Sequence, residues 1–370
     1  MDVLGLTIIL PLLPFYAEKL GASPAVVGLL VSAYAACQLI AGPILGRISD
    51  RVGRRPVLLV SQLGTFAGFL LLAGSSTLWM VFLSRVIDGL TAGNLSLAQA
   101  YISDVTEPQE RAKSFGIIGI AFGIGFLIGP GISGFLSQFG YSYPIYMAAA
   151  LSALSILATF FLLPQTAPVL ETSTPRKLSL VEWGHYAGYF RDRALAPLLW
   201  QFFAFTFSFA MYMSGFALFA ERRFAWRGAP FGPKQVGYVF AYMGFLGIIL
   251  QGGLIGRLVK WLGEGRLVRI GFLASAVGLG ALGFSYGIPA LLVVSAVASL
   301  GSGALRPALT SLITQKAGRS EQGAVLGLTQ SIMSVAQIVG PFVGGMLIDG
   351  GWLAGWALLA AVIAAVGMIF

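Results

Sequence analysis

Apolar runs close to the length a helix needs to cross a bilayer, about 20 residues, recur along this chain. Inside hydrocarbon every backbone N–H and C=O must find its partner within the segment, so such runs fold as helices. Twelve spans are expected, at about 2–17, 24–45, 57–74, 78–101, 113–136, 143–163, 197–220, 235–256, 267–285, 288–312, 323–347 and 352–370. Pro24, Pro56, Pro144, Pro197 and Pro289 each fall near a proposed helix start, where proline is tolerated. The fold class is therefore all-α integral membrane, with the helices grouped in two pseudo-symmetric six-helix bundles. The residues between the runs agree: only 10% of the 370 are charged and mean hydropathy is +0.86, against about 25% charge in soluble domains. A soluble globule is excluded.

The net charge of +9 does not indicate a nucleic-acid partner, because the basic residues sit in short turns and form no continuous face. It reports topology instead. Sixteen Lys and Arg residues fall in the turns on one side and five on the other, which puts both termini in the cytoplasm. Cys37 and His185 are the only residues of their kinds, so no disulfide, metal set or enzymatic constellation is expected, and no cofactor. No cleavable signal peptide is expected. The first run is short and contains Pro11 and Pro14, and the last ends without a polar tail; both ends are expected to be clipped. The longest polar stretch divides the chain into a bundle at 1–163, a cytoplasmic central loop at 164–196 and a bundle at 197–370, with a short amphipathic surface helix expected at 178–190.

The most specific motif is Gly46-Arg47-Ile48-Ser49-Asp50-Arg51-Val52-Gly53-Arg54-Arg55-Pro56. We read it as a charged turn in water, with Gly46 and Gly53 permitting a tight backbone and Pro56 opening the next helix. The pattern G-x-x-x-D-R-x-G-R-R resembles the helix 2–3 loop signature of the major facilitator superfamily of secondary transporters. The two halves of the chain also match each other at a shift of 210 to 211 residues. Gly46-Arg47 and Gly53 return as Gly256-Arg257 and Gly263, Gly93 as Gly303, and Gly129-Pro130 as Gly340-Pro341. Such a repeat suits a two-bundle transporter with its binding site near the midplane. Lys260 stands where Asp50 would repeat, so the two gates are not equivalent.

Helix 5 carries Gly125, Gly129, Pro130 and Gly134 at spacings that let a neighbour approach closely. The run resembles the antiporter signature G-x-x-x-G-P-x-x-G-G of the drug:proton branch, with Ser133 in place of one glycine. Helix 4 carries Arg85 and Asp88 three residues apart on one face, roughly 10–15 Å into the membrane. A lone arginine there costs about 2.5–3.5 kcal/mol or more, and a partner relieves it. The pattern R-x-x-D-G resembles the family's helix 4 motif for proton transfer. A buried carboxyl beside a cation is pulled two ways, by burial and by the neighbouring charge, so it can switch when helices move. Asp88 with Arg85 ranks first for proton coupling. Asp2, which matches the family's helix 1 acid, ranks second because water is expected to reach it.

Nearly the whole chain resembles the tetracycline/proton antiporter group and its multidrug relatives, Tyr101-Ile-Ser-Asp104 and Arg111-Ala-Lys-Ser-Phe-Gly116 included. Where that group has an acid in helix 3, a histidine in helix 8 and an acid in helix 9, this sequence has Gly68, Gly247 and Ser275, while Gln251 keeps the helix 8 glutamine. Those departures argue against a charged metal–tetracycline substrate. Candidates for the cavity wall are Tyr34, Gln38, Asn94, Gln201, Tyr212, Gln251, Arg306, Gln330 and Gln337. Polar groups spaced along apolar walls suit amphipathic small molecules, and Arg306, with no acid near it in sequence, points to an anionic or polar one. For gating the resemblance implies Gly46, Asp50, Arg51, Gly53, Arg54, Arg55 and Arg111 together with Gly125, Gly129, Pro130 and Gly134 of helix 5, with Asp50 meeting the start of helix 11 near Gln322 and Gly323. The expectation is a monomeric proton-coupled exporter of small lipophilic compounds in a bacterial-type inner membrane, with protons as the coupling ion. An importer or lipid/metabolite transporter on the same fold is the first alternative; a non-transporting receptor or scaffold is the second.

Overall fold

The protein is described from a computed structural model covering residues 1–106, 111–164, 188–317 and 322–370, without the side chains of 103, 111–117, 119 and 322–324. The surface helix expected at 178–190, His185 and the Arg111, Gln322 and Gly323 side chains lie wholly or mostly outside the described residues. The helices are α1 (Asp2–Ile9), α2 (Leu13–Lys19), α3 (Pro24–Val52), α4 (Arg54–Ala73), α5 (Leu78–Leu90), α6 (Asn94–Val105), α7 (Arg111–Leu136) and α8 (Ser142–Leu162). They continue with α9 (Ala196–Arg223), α10 (Pro233–Ile249), α11 (Ile255–Leu262), α12 (Glu264–Leu282), α13 (Ile288–Lys316), α14 (Gln322–Asp349) and α15 (Leu353–Gly367). All twelve expected spans are helical, and among the described residues eight helices are long and apolar enough to cross a membrane on their own.

Three spans depart from a simple rod. The first is broken after Ile9 beside Pro11, since proline supplies no N–H and its ring crowds the preceding turn. The fourth is broken between Leu90 and Asn94, and the eighth carries a π-helical turn at Leu250–Leu254 joining α10 to α11. Such turns are frequent at functional positions. A two-stranded hairpin, β1 (Ala225–Trp226) with β2 (Ala229–Pro230), turns through Arg227 at φ 53° and Gly228 at φ 82°. Two positive φ values in a two-residue loop match the right-handed twist of the strands.

The charged turn differs from expectation. Helix α3 runs to Val52 and α4 starts at Arg54, so one residue, Gly53 at φ 100°, makes the connection. Gly46 is helical, and a Cβ there would meet nothing within 4 Å, so it is not needed for a tight backbone. The repeat reproduces the device: Gly263, at φ 73° and ψ 157°, joins α11 to α12 much as Gly53, at ψ 154°, joins α3 to α4.

The chain forms two compact units. The first comprises Met1–Ala22, Ala33–Leu180 and Pro233–Ala241; the second comprises Ser23–Ser32, Val181–Gly232 and Tyr242–Phe370. In the first unit α4 packs on α5 through glycines: a Cβ on Gly68 would lie 3.1 Å from the Asp88 Cβ and 3.2 Å from the Ser84 carbonyl oxygen. In the second, α12 packs on α13 in the same way. A Cβ on Gly278 would lie 2.6 Å from the Ala298 nitrogen, and one on Gly301 would lie 2.7 Å from the Ser275 nitrogen. Gly68 and Asp88 map onto Gly278 and Ala298 at a shift of 210, so the sequence repeat is also a packing repeat. The second unit's core is aromatic. Trp356, fully buried, lies 5.0 Å from the Phe219 ring and 6.2 Å from the Tyr212 ring, and its indole N–H donates to the Met211 carbonyl at 3.3 Å.

Candidate functional site: a buried ion pair and its surroundings

The first unit buries two opposite charges on one helix. Arg85 and Asp88 on α5 are each 4% exposed, and Arg85 Nη1 donates to Asp88 Oδ2 at 3.2 Å. Their three-residue spacing puts both on the buried face of α5. The missing side chain of Gly68 lets the Asp88 backbone come up against α4. On the adjacent side Gly89 lets α3 approach, because a Cβ there would sit 2.7 Å from the Tyr34 carbonyl oxygen. The Phe69 ring lies 6.0 Å from the Arg85 guanidinium, whose Nη2 is buried and has no hydrogen-bond partner among the described residues. Thr65 on α4 and Tyr34 on α3 lie beside this pair.

Asp2 belongs to the same interior. Its Oδ2 accepts a long hydrogen bond from Gln62 Nε2 at 3.4 Å, and Gln62 also donates to Ser155 Oγ at 3.0 Å. Asp2 Oδ1 and Gln62 Oε1 are buried without partners among the described residues. Asp2 as a whole is half-buried, with α4 beside it through Gln62. Thr7 Oγ1 donates to the Gly125 carbonyl at 2.9 Å, and Cβ atoms on Gly125 and Gly129 would come within 2.8 Å of Val3 Cγ1 and Thr7 Cβ. The helix 5 glycines therefore seat α1, and with it Asp2. Beyond them, a Cβ on Gly134 would lie 3.0 Å from the Lys234 carbonyl oxygen, and Gly237 packs against Gly134 and the Pro130 carbonyl. Gln62, Thr65 and Phe69 were not singled out in the sequence, although their spacing of three and four residues marks one face of α4.

A second charge cluster lies where α3 meets α4. Arg54 pairs with Asp50, donates from Nε to Asp104 Oδ2 at 2.8 Å and from Nη1 to Ser49 Oγ at 2.7 Å. Arg55 donates to the Phe160 carbonyl, with its guanidinium 5.5 Å from the Phe160 ring, while Arg51 is exposed. The signature residues thus tie α3, α4, α6 and α8 together.

A buried Arg–Asp pair inside an apolar bundle, a one-glycine charged junction and a twofold packing repeat are the marks of one transporter architecture. The Major Facilitator Superfamily model matches residues 1–279 and 253–370. The chain belongs to the Major Facilitator Superfamily. It is 33% identical to the Escherichia coli protein "Tetracycline resistance protein, class E", over 93% of this chain and 84% of that one. It is 29% identical to "Multidrug resistance protein 2" of Bacillus subtilis (strain 168), over 94% of this chain and 86% of the other. Among solved structures, that of the human organic anion transporter MFSD10 (TETRAN) superposes with a TM-score of 0.74 at 22% identity, covering 100% of this chain and 95% of that one.

Within this Major Facilitator chain the wall candidates separate by environment. In the second unit Gln201 and Tyr212 are buried, and the Tyr212 hydroxyl lies 3.4 Å from Met243 Sδ. That places both in packed core rather than on an open face. Ser275 lines a small, partly open cavity of about 20 Å³ with Tyr212 and Ser208, room for about one water. Gln251, Arg306 and Gln330 are exposed, and Gln337 is half-buried. In the first unit Tyr34, Gln38 and Asn94 are half-buried, and Asn94 Oδ1 is enclosed without a partner among the described residues. A Cβ on Gly247 would meet nothing within 4 Å, whereas Gly68 is tightly packed. Two of the three positions where an acid or a histidine was expected are thus occupied by opposite kinds of glycine, one open and one closed.

Proposed function

We propose that this multi-pass membrane protein exports small lipophilic or amphipathic compounds in exchange for protons, by alternating access. The observation that carries the reading is the buried Arg85–Asp88 pair with Asp2 on the same polar seam. A static scaffold gains little from buried charges, because apolar residues of similar volume often serve stability as well or better. A buried carboxyl held by one arginine is, by contrast, suited to trade its proton when the helices around it shift. The relatives' names, tetracycline and multidrug resistance proteins, support drug efflux, and Gly68, Gly247 and Ser275 favour the multidrug kind. We place both termini in the cytoplasm of a bacterial inner membrane and the working form as a monomer. The test uses inverted membrane vesicles, an imposed pH gradient and a pH-sensitive dye. Addition of a transported amphiphile should release protons from the acidified lumen at a saturable rate; no compound of a broad panel doing so would overturn the proposal.

The Asp50–Arg54–Asp104 cluster is the proposed cytoplasmic gate, with Asp50 meeting a helix N-terminus in one state of the cycle. A helix N-terminus favours an anion by about 0.3–1 kcal/mol, up to about 2 when partly buried. Asp50→Asn should therefore slow turnover roughly two- to thirtyfold, with folded yield unchanged because Asp50 is half exposed. Unchanged turnover in that variant would remove Asp50 from the gate.

A further inference from the structure

Arg306 is a cation in the interior of a membrane helix with no counter-charge among the described residues. It stands eighteen residues into α13 and ten from its end. Its one described side-chain contact is with Met333 Sδ, at 3.9 Å from Nη2, and thioether sulfur is a weak acceptor. No carboxylate pairs with it among the described residues. The arginine inside a span of the first unit, Arg85, is by contrast buried and has its aspartate three residues away. Arg306 instead is exposed, on a face of the second unit that holds further amide donors. Gln251, within the π-helical turn, has its Nε2 4.0 Å from where a Cβ of Gly303 would be, one turn before Arg306. Gln330, one turn before Met333 on α14, is exposed. Cβ atoms on Gly252 and Gly253 would meet nothing within 4 Å, so the π-turn leaves open space.

We infer that Arg306, with Gln251 beside it, is a headgroup subsite for organic carboxylates or sulfonates of amphipathic small molecules. The planar guanidinium offers paired N–H donors that match such oxyanions two at a time. An unpaired arginine at this depth is costly, and an anionic ligand relieves the cost while an uncharged isostere does not. The inference rests on the export reading for its place in a transport cycle, and its test is a binding test that does not depend on transport.

Purified protein in phosphatidylcholine nanodiscs would be titrated with tritiated 2-naphthoate and with the matching carboxamide by scintillation proximity. Wild type should prefer the carboxylate by about tenfold or more. Arg306→Gln should lose that preference while retaining carboxamide binding and its size-exclusion profile, and Arg306→Lys should recover part of it. Equal affinities in wild type, or an undiminished preference in Arg306→Gln, would overturn the subsite. Loss of the preference in discs containing phosphatidylglycerol would make the occupant a lipid headgroup and overturn the small-molecule assignment. A naphthoate preference without any vesicle transport would sustain the subsite and count against export alone.

Discussion

Asp88→Asn should eliminate substrate-induced proton release from the detergent-solubilised protein and reduce pH-driven transport by about two orders of magnitude, leaving substrate affinity within about threefold. The substitution keeps the size of the side chain and removes the exchangeable proton. It also leaves Arg85 without its 3.2 Å partner in a site where Arg85 is 4% exposed. Removing one partner of a buried pair costs about 3–5 kcal/mol in soluble proteins, so loss of folding must be separated from loss of coupling. The double variant Arg85→Gln/Asp88→Asn does this by removing both charges. It should fold, bind substrate and still release no protons. Release at the wild-type level in either variant would make the pair structural. Asp2→Asn should diminish release without abolishing it, because Asp2 reaches the seam through one long bond to Gln62.

The charge pair was legible because its chemistry is local. Two opposite charges three residues apart in an apolar run have one economical explanation, and Arg85 and Asp88 sit as expected. The twelve spans were legible for a similar reason, since hydropathy is additive along a run. What escaped was decided by tertiary contact or by backbone detail. Gln62 and Thr65 look like ordinary polar residues of α4 until α1 and α5 are placed against them. The seat of α1 was hidden for the same reason: Val3 and Thr7 meet Gly125 and Gly129 of α7, over a hundred residues away. Gly46 and Gly53 are the same residue type seven positions apart, and positive φ at Gly53 alone turns the chain. The π-turn has only Gly252-Gly253 as a sequence trace, in a chain with 49 glycines. Polarity made Tyr212 and Gln201 cavity candidates, and what it could not show is that both are buried, the tyrosine beside Trp356 and Met243.

The second large effect separates two glycines that the sequence alone cannot rank. Gly278→Val should leave almost no folded protein, whereas Gly247→Val should be recovered at near wild-type yield, both measured by fluorescence-detected size exclusion. Each sits inside a membrane helix, Gly278 in α12 and Gly247 in α10, so helix propensity affects both alike. The difference is the neighbour. A Cβ on Gly278 would stand 2.6 Å from the backbone nitrogen of Ala298 and 2.9 Å from its Cα, so α13 itself must move. Overpacking relieved by side chains costs about 1–3 kcal/mol; moving a helix that also meets α12 at Gly301 and Gly271 costs more, and a membrane bundle that relies on close small-residue contacts has no hydrophobic reserve between its helices to offset it. We expect folded yield to fall by more than about tenfold. Gly247 faces open space and meets no such barrier. Equal yields from the two variants would mean that α12 and α13 are not held at this separation. The same contact explains why the halves of the chain are not interchangeable: at a shift of 210 the partner of Gly278 is Ala298, while the partner of Gly68 is Asp88. Gly68→Ala, with contacts of 3.1 and 3.2 Å, should therefore fold and yet alter proton release by pressing on Asp88. A change in yield without a change in release would show that the close contact serves packing in both halves and coupling in neither.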